Sequence, residues 1–165
     1  MKMSKIIFEH SGKDNVYVCS KAVFIAPFDE NGGSNWETSS GRKLLQKWYE
    51  ENAPEQIKIR FDIDLPTAYE TFPRSEFNYW DLETFHKPLP TFEHELDRIR
   101  ERYVLPIRWW TRSKCERKEG AVWCASQSGG MYYEPSTLRD LGFVPILRPK
   151  DPFKPFENRV PCIIF

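Results

Sequence analysis

Residues Tyr103 to Leu147 read YVLPIRWWTRSKCERKEGAVWCASQSGGMYYEPSTLRDLGFVPIL. The stretch holds three of the six tryptophans and two of the four cysteines. Runs of aromatic and β-branched residues alternate here with charged or glycine-containing breaks, the pattern of short antiparallel strands joined by turns. The spacing predicts strands at 107–113, 121–126, 131–133 and 143–147. It predicts a charged loop at Lys114–Gly120 and a turn at Gly129-Gly130. Adjacent residues on a strand point to opposite faces. One of Trp109 and Trp110 is therefore expected in the core and the other nearer the surface, with Trp110 and Trp123 read as core and Trp109 as the open case.

Working outward, Thr91–Tyr103 reads as a helix. Thr91 is placed to cap it, Phe92, Leu96, Ile99 and Tyr103 form a stripe, and acids precede arginines as the helix dipole favours. Further upstream, Lys5–Phe8 (KIIF) reads as a strand, Val16–Phe28 as one or two strands, and Asp29–Asn35 (DENGGSN) as a loop. A helix is expected from a Ser39 or Ser40 cap, with Leu44, Leu45, Trp48 and Tyr49 as its apolar stripe, ending at Asn52-Ala53-Pro54. Gln56–Leu65 (QIKIRFDIDL) alternates apolar and polar residues and predicts an amphipathic strand. Pro66–Phe72 predicts a short helix. The Pro-rich tail after Leu147 ends in CIIF, an apolar run that a soluble chain must cover. Residues 162–165 are therefore expected to pair with KIIF, closing a single domain over 1–165 in which 148–165 return to the first strand.

The totals bound the function. A chain of 165 residues buries roughly 70% of its unfolded surface and needs neither metal nor disulfide to fold. Aromatics at 15% and thirteen prolines against eight glycines favour an aromatic core with many turns over a helical bundle. Net charge is zero, which removes the bulk electrostatic argument for nucleic acid or membrane surfaces. Within 98–118, however, eight basic residues (Arg98, Arg100, Arg102, Arg108, Arg112, Lys114, Arg117, Lys118) face two acids (Glu101, Glu116), a local balance of 8 − 2 = +6. No secretory signal or membrane span is legible, so a cytoplasmic setting with free thiols is expected.

The order of motifs carries a resemblance. Asn35-Trp36-x-x-Ser39-x-x-Arg42 is followed by DIDLPTAYETF, then by Trp109-Trp110-Thr111-Arg112-Ser113, then by Gly142-Phe143-Val144-Pro145-Ile146-Leu147. This resembles a bacterial and phage domain family of unknown function with a tryptophan–serine–arginine helix start, a "WWLRS"-like strand and a "GVRPAL"-like strand. That family is similar to the formylglycine-generating-enzyme and C-type-lectin-like fold group. The resemblance spans roughly 16–147 and implies an α+β, C-type-lectin-like domain. In it two helices flank twisted antiparallel sheets, and the N- and C-terminal strands are paired. Thr111 stands where that pattern has Leu, and Val144 where it has Arg.

No catalytic residues, cofactor or metal are assigned. Cysteines at 19, 115, 124 and 162 and histidines at 10, 86 and 94 lack the spacing of a zinc site. Glu134-Pro135-Ser136 is read as an ordinary proline turn, not a calcium loop. The leading expectation is a non-catalytic binding domain with a protein partner, of the kind carried by phages or mobile elements; one form of it is an inhibitor of a host defence complex. Its contact residues are Arg108, Trp109, Arg112, Lys114, Arg117 and Lys118, with Trp109 as the aromatic anchor. Arg112 has a competing structural reading as an ion-pair partner of Asp140 or Glu134. Two alternatives stay open: a thiol- or metal-dependent enzyme using Cys115 or Cys124, and nucleic-acid binding through 98–118.

Overall fold

A computed structural model describes residues 6–10, 15–71, 108–126, 131–151 and 161–165. In chain order its elements are β1 (Ile7–His10), β2 (Tyr17–Cys19), β3 (Phe24–Ile25), a 3-10 turn (Trp36–Thr38), α1 (Ser40–Asn52), α2 (Glu55–Arg60), β4 (Phe61–Asp64), α3 (Ala68–Thr71), β5 (Arg108–Lys114), β6 (Ala121–Ser126), β7 (Met131–Pro135), β8 (Gly142–Phe143), β9 (Ile146–Pro149) and β10 (Cys162–Ile164). The fold is α+β. One sheet has the order β10-β1-β2-β9-β4 and the other β3-β8-β5-β6-β7. Among the described residues the ladders are antiparallel except a parallel contact of β5 with β8 at Trp109 and Gly142.

The expected pairing of the first and last strands is present. Phe8 faces Ile163 and Glu9 faces Cys162. Phe165 continues inward, with its ring 5.0 Å from Phe8 and stacked 5.9 Å from Trp48 of α1. The segment expected as one strand at 143–147 is two. β8 belongs to one sheet and β9 to the other, with Val144 and Pro145 crossing between them. Pro145 has no N–H for a ladder, while its carbonyl still accepts from Cys19 N at 2.9 Å. Val16–Phe28 likewise divides into β2 and β3, one in each sheet.

α1 starts as expected, with Ser39 Oγ accepting the Arg42 N–H at 3.1 Å. Its buried face is Gly41, Leu45 and Tyr49. Leu44, expected in the apolar stripe, is exposed. The close seat of the helix explains Gly41: a Cβ there would lie 2.5 Å from Phe28 O and 2.7 Å from Phe143 Cζ. One apolar cluster joins both sheets and α1 through Phe8, Val18, Leu45, Trp110, Phe143 and Leu147.

Residues 56–65 correct the expectation of one strand. They form α2 and then β4, and Ile59 is 71% exposed. β4 pairs with β9 only from Phe61 to Asp64, because β9 ends at Pro149. Beyond that pairing Lys150 N still donates to Arg60 O at 2.9 Å, and no described strand pairs with the residues ahead of Arg60. Local bonds decide instead: Lys58 N donates to Pro54 O at 3.1 Å and Lys58 Nζ lies 2.8 Å from Glu55. The Tyr49 hydroxyl then ties the junction to α1 by donating to Phe61 O at 2.8 Å. The helix expected at 91–103 and the turn at Gly129-Gly130 lie outside the described residues.

Candidate functional site

The candidate site begins with an irregularity in β5. Trp110 pairs with Cys124, but the next pair is Lys114 with Val122, so two extra residues are inserted into β5. The inserted stretch turns its polar groups elsewhere. Thr111 Oγ donates to Trp123 O at 2.8 Å, standing in for a missing ladder bond. Arg112 N donates to Pro66 O at 2.9 Å, and Ser113 Oγ accepts from Ala68 N at 2.9 Å. A β-bulge of this kind re-aims side chains, and here it directs Arg112 toward β4.

A chain of five charges results, running Glu37, Arg112, Asp64, Arg148, Glu70. Arg112 donates to Asp64 at 2.7 Å and to Glu37 at 2.9 Å. Arg148 donates to Asp64 at 2.6 Å and grips Glu70 with two bonds of 2.6 and 2.8 Å. Glu70 is 1% exposed. Burial alone would lower the Arg148 pKa, but the carboxylates of Glu70 and Asp64 hold it above the ordinary arginine range. Glu70 also accepts the Thr67 N–H, and Thr67 Oγ accepts the Glu70 N–H, a capping box that starts α3. The network joins β4 and β9 of one sheet to β5 of the other. Its role is to hold the bulge and α3 in place.

Sequence reasoning anticipated an ion-paired Arg112 but assigned the wrong partners. Glu134 pairs with Arg108 instead. Asp64, Glu70 and Arg148 were missed. Only the Thr67-x-x-Glu70 spacing signalled a role for Glu70, and nothing local marks Arg148.

The bulged strand leads into the Lys114–Gly120 loop. Lys118 N donates to Cys115 O, Ala121 N to Lys118 O, and Ser136 N to Gly120 O. Gly120 has φ +75, and a Cβ there would come within 3.3 Å of Gly32 O. The loop is thus packed backbone to backbone against the 29–35 loop and the turn after β7. Glu116, Arg117, Lys118 and Glu119 are exposed at its tip. Arg117 lies 5.8 Å from the Trp123 ring centroid, a cation–π contact.

The six expected contact residues separate. Arg117 and Lys118 are on this exposed loop, while Lys114, also exposed, is the last residue of β5 and pairs with Val122. Arg108 and Arg112 are neutralised by carboxylates. Trp109 corrects the expectation of a surface anchor: it is 1% exposed, and Trp110 is buried too. β5 is an interior strand between β8 and β6, and both of its faces are covered, so the alternation of side chains brings neither ring to solvent. Arg98, Arg100 and Arg102 lie outside the described residues. At the loop itself, Lys114, Arg117 and Lys118 against Glu116 and Glu119 leave 3 − 2 = +1.

Cys115 and Cys124 do not form a pair. Cys115 clusters with Ala121 and Trp123, while Cys124 belongs to the main core with Val122, the opposite face of β6. Burial pushes the Cys124 thiol up to about 12, with Glu134 adding to the shift. Among the described residues no group of three His, Cys, Asp or Glu side chains is placed to hold a metal ion, and no helix is long and apolar enough to cross a membrane. Ser136 sits in a turn closed by Leu138 N to Pro135 O at 3.0 Å.

No protein-family model matches this chain, and no similar protein is found among curated proteins or solved structures.

Proposed function

We propose that this chain is a non-catalytic binding domain on a C-type-lectin-like scaffold, and that the Lys114–Gly120 loop contacts a protein partner. The observation that carries the reading is the preorganised loop. Its backbone is fixed by hydrogen bonds to its own strands and to the turn after β7, while four consecutive charged side chains at its tip are exposed. A loop ordered in advance loses little entropy on binding. Its tip carries both signs, which suits a protein surface of matching pattern better than a polyanion. Neutralisation of Arg108 and Arg112 weighs against a phosphate-tracking surface. The separation of Cys115 from Cys124 across β6 weighs against a two-thiol active site.

The test is capture from a bacterial lysate by the wild-type protein and by a Lys114→Ser, Arg117→Ser, Lys118→Ser variant of equal melting temperature. A protein retained by the wild type, lost from the variant and bound again when purified supports the reading. Identical eluates from the two baits rule it out.

A further inference from the structure

A second surface lies beside α1. Leu44 and Ile25 are among the exposed large apolar side chains, at 43% and 51%. Leu44, Ala26 and Pro27 line a groove of about 280 Å³, and Glu30, Lys43 and Lys47 ring it. Ile25 lies on β3, an edge strand whose neighbour among the described residues is β8.

The rim charges are uncompensated. Glu37 takes Arg42, and Glu55 with Glu50 takes Lys58. No ion pair to Glu30, Lys43 or Lys47 forms among the described residues. Lys43 and Lys47 are one turn apart on the same helix face, a spacing at which like charges repel. Lys43 also stands in the first turn of α1, where the dipole disfavours a cation. Both costs fall if a carboxylate is brought to them from outside the chain.

A partner of a single sign would satisfy only part of this rim. A two-fold contact needs a patch complementary to itself, in which each residue meets a different residue of the other copy. An apolar groove whose rim carries both an acid and bases has that character. We propose that this groove is a two-fold interface with a second copy of this chain, with Leu44, Ala26 and Pro27 at its apolar centre and Glu30 of each copy meeting Lys43 and Lys47 of the other.

The experiment is sedimentation equilibrium of the full chain over a concentration series up to about 0.5 mM, a range that reveals even weak dimers. The wild type is expected to dimerise. Glu30→Lys should raise the dissociation constant by about tenfold or more, because symmetry removes each contact twice. Adding Lys43→Glu in the same chain should restore it to within about threefold, the signature of a direct pair in a double-mutant cycle. Leu44→Asp should leave only monomer while keeping the wild-type circular dichroism spectrum, since that side chain is exposed. A wild type that stays monomeric throughout overturns the proposal. So does a dimer that withstands Leu44→Asp, or a charge swap that fails to restore what Glu30→Lys removed.

Discussion

Arg148 holds Glu70 in a two-bond fork at 2.6 and 2.8 Å, linking β9 of one sheet to the short helix α3. The contact is buried, so its importance is greatest when one side is removed. Glu70→Ala leaves the Arg148 guanidinium short of a counter-charge and should cost about 3–5 kcal/mol in urea unfolding. Replacing both, Glu70→Leu with Arg148→Met, keeps the Arg112–Asp64 pair and should cost less than Glu70→Ala alone. A double variant weaker than the single one would show that the network contributes more than charge balance.

Gly41→Ala should destabilise, although alanine is the better helix former by about 1 kcal/mol. The added Cβ meets a backbone carbonyl at 2.5 Å, which cannot rotate away as a side chain would. A net loss of about 1–3 kcal/mol is expected from such overpacking, read from the urea midpoint. A midpoint that rises would mean that α1 shifts freely on its seat.

Removing residues 162–165 strips β10 from β1 and takes the Phe165 ring off Trp48. The expected product is insoluble, or compact without fixed packing, seen as lost near-UV circular dichroism with retained far-UV signal and dye binding. A truncated chain with unchanged melting temperature and solubility would contradict this.

The Cys124 thiol is raised to about 12 by burial, above its unfolded value of about 8.5. A raised pKa stabilises fully below the unfolded value and loses that contribution as pH climbs toward the folded one. Stability should therefore fall from about pH 8.5 upward, by about 2 kcal/mol at pH 10 from this thiol alone. Tyr49, also raised by burial and by the nearby carboxylates of Asp62 and Glu50, adds to the fall at higher pH. Unfolding at pH 8 and pH 10 should show a smaller loss for Cys124→Ala than for the wild type. Parallel losses would assign the alkaline limb to other groups.

Much of the strand set was legible because its signals are local. Ala121–Ser126 is a run of small and apolar residues between Gly120 and the polar sequence Gln127-Ser128, and it is a strand throughout. The CIIF end could be placed against the first strand because so apolar a run must be covered. A cap at Ser39 or Ser40 was legible because a hydroxyl ahead of an apolar stripe is a helix start at any place in a fold, and the structure selects Ser39. Gln56–Leu65 misled because alternation marks a strand only where a partner strand exists, and the length of β9 is set far along the chain. The candidate site was legible in part. Arg117 and Lys118 lie on the loop as their clustering implied, Lys114 ends β5 instead, and Trp109 and Arg112 were claimed by packing and by carboxylates from β4 and the 3-10 turn.

The sequence by itself determined a set of short antiparallel strands, a helix start at Ser39 or Ser40, a charged loop ahead of Ala121 and the joining of the first and last strands, because periodicity, capping and uncovered apolar surface act over a few residues. Only the tertiary structure decided that Val144 and Pro145 pass between two sheets, that both tryptophans of β5 are buried, and that Arg112 and Arg148 share Asp64. Those outcomes depend on which strand lies beside which, and Asp64 reaches Arg148 across 84 positions of sequence.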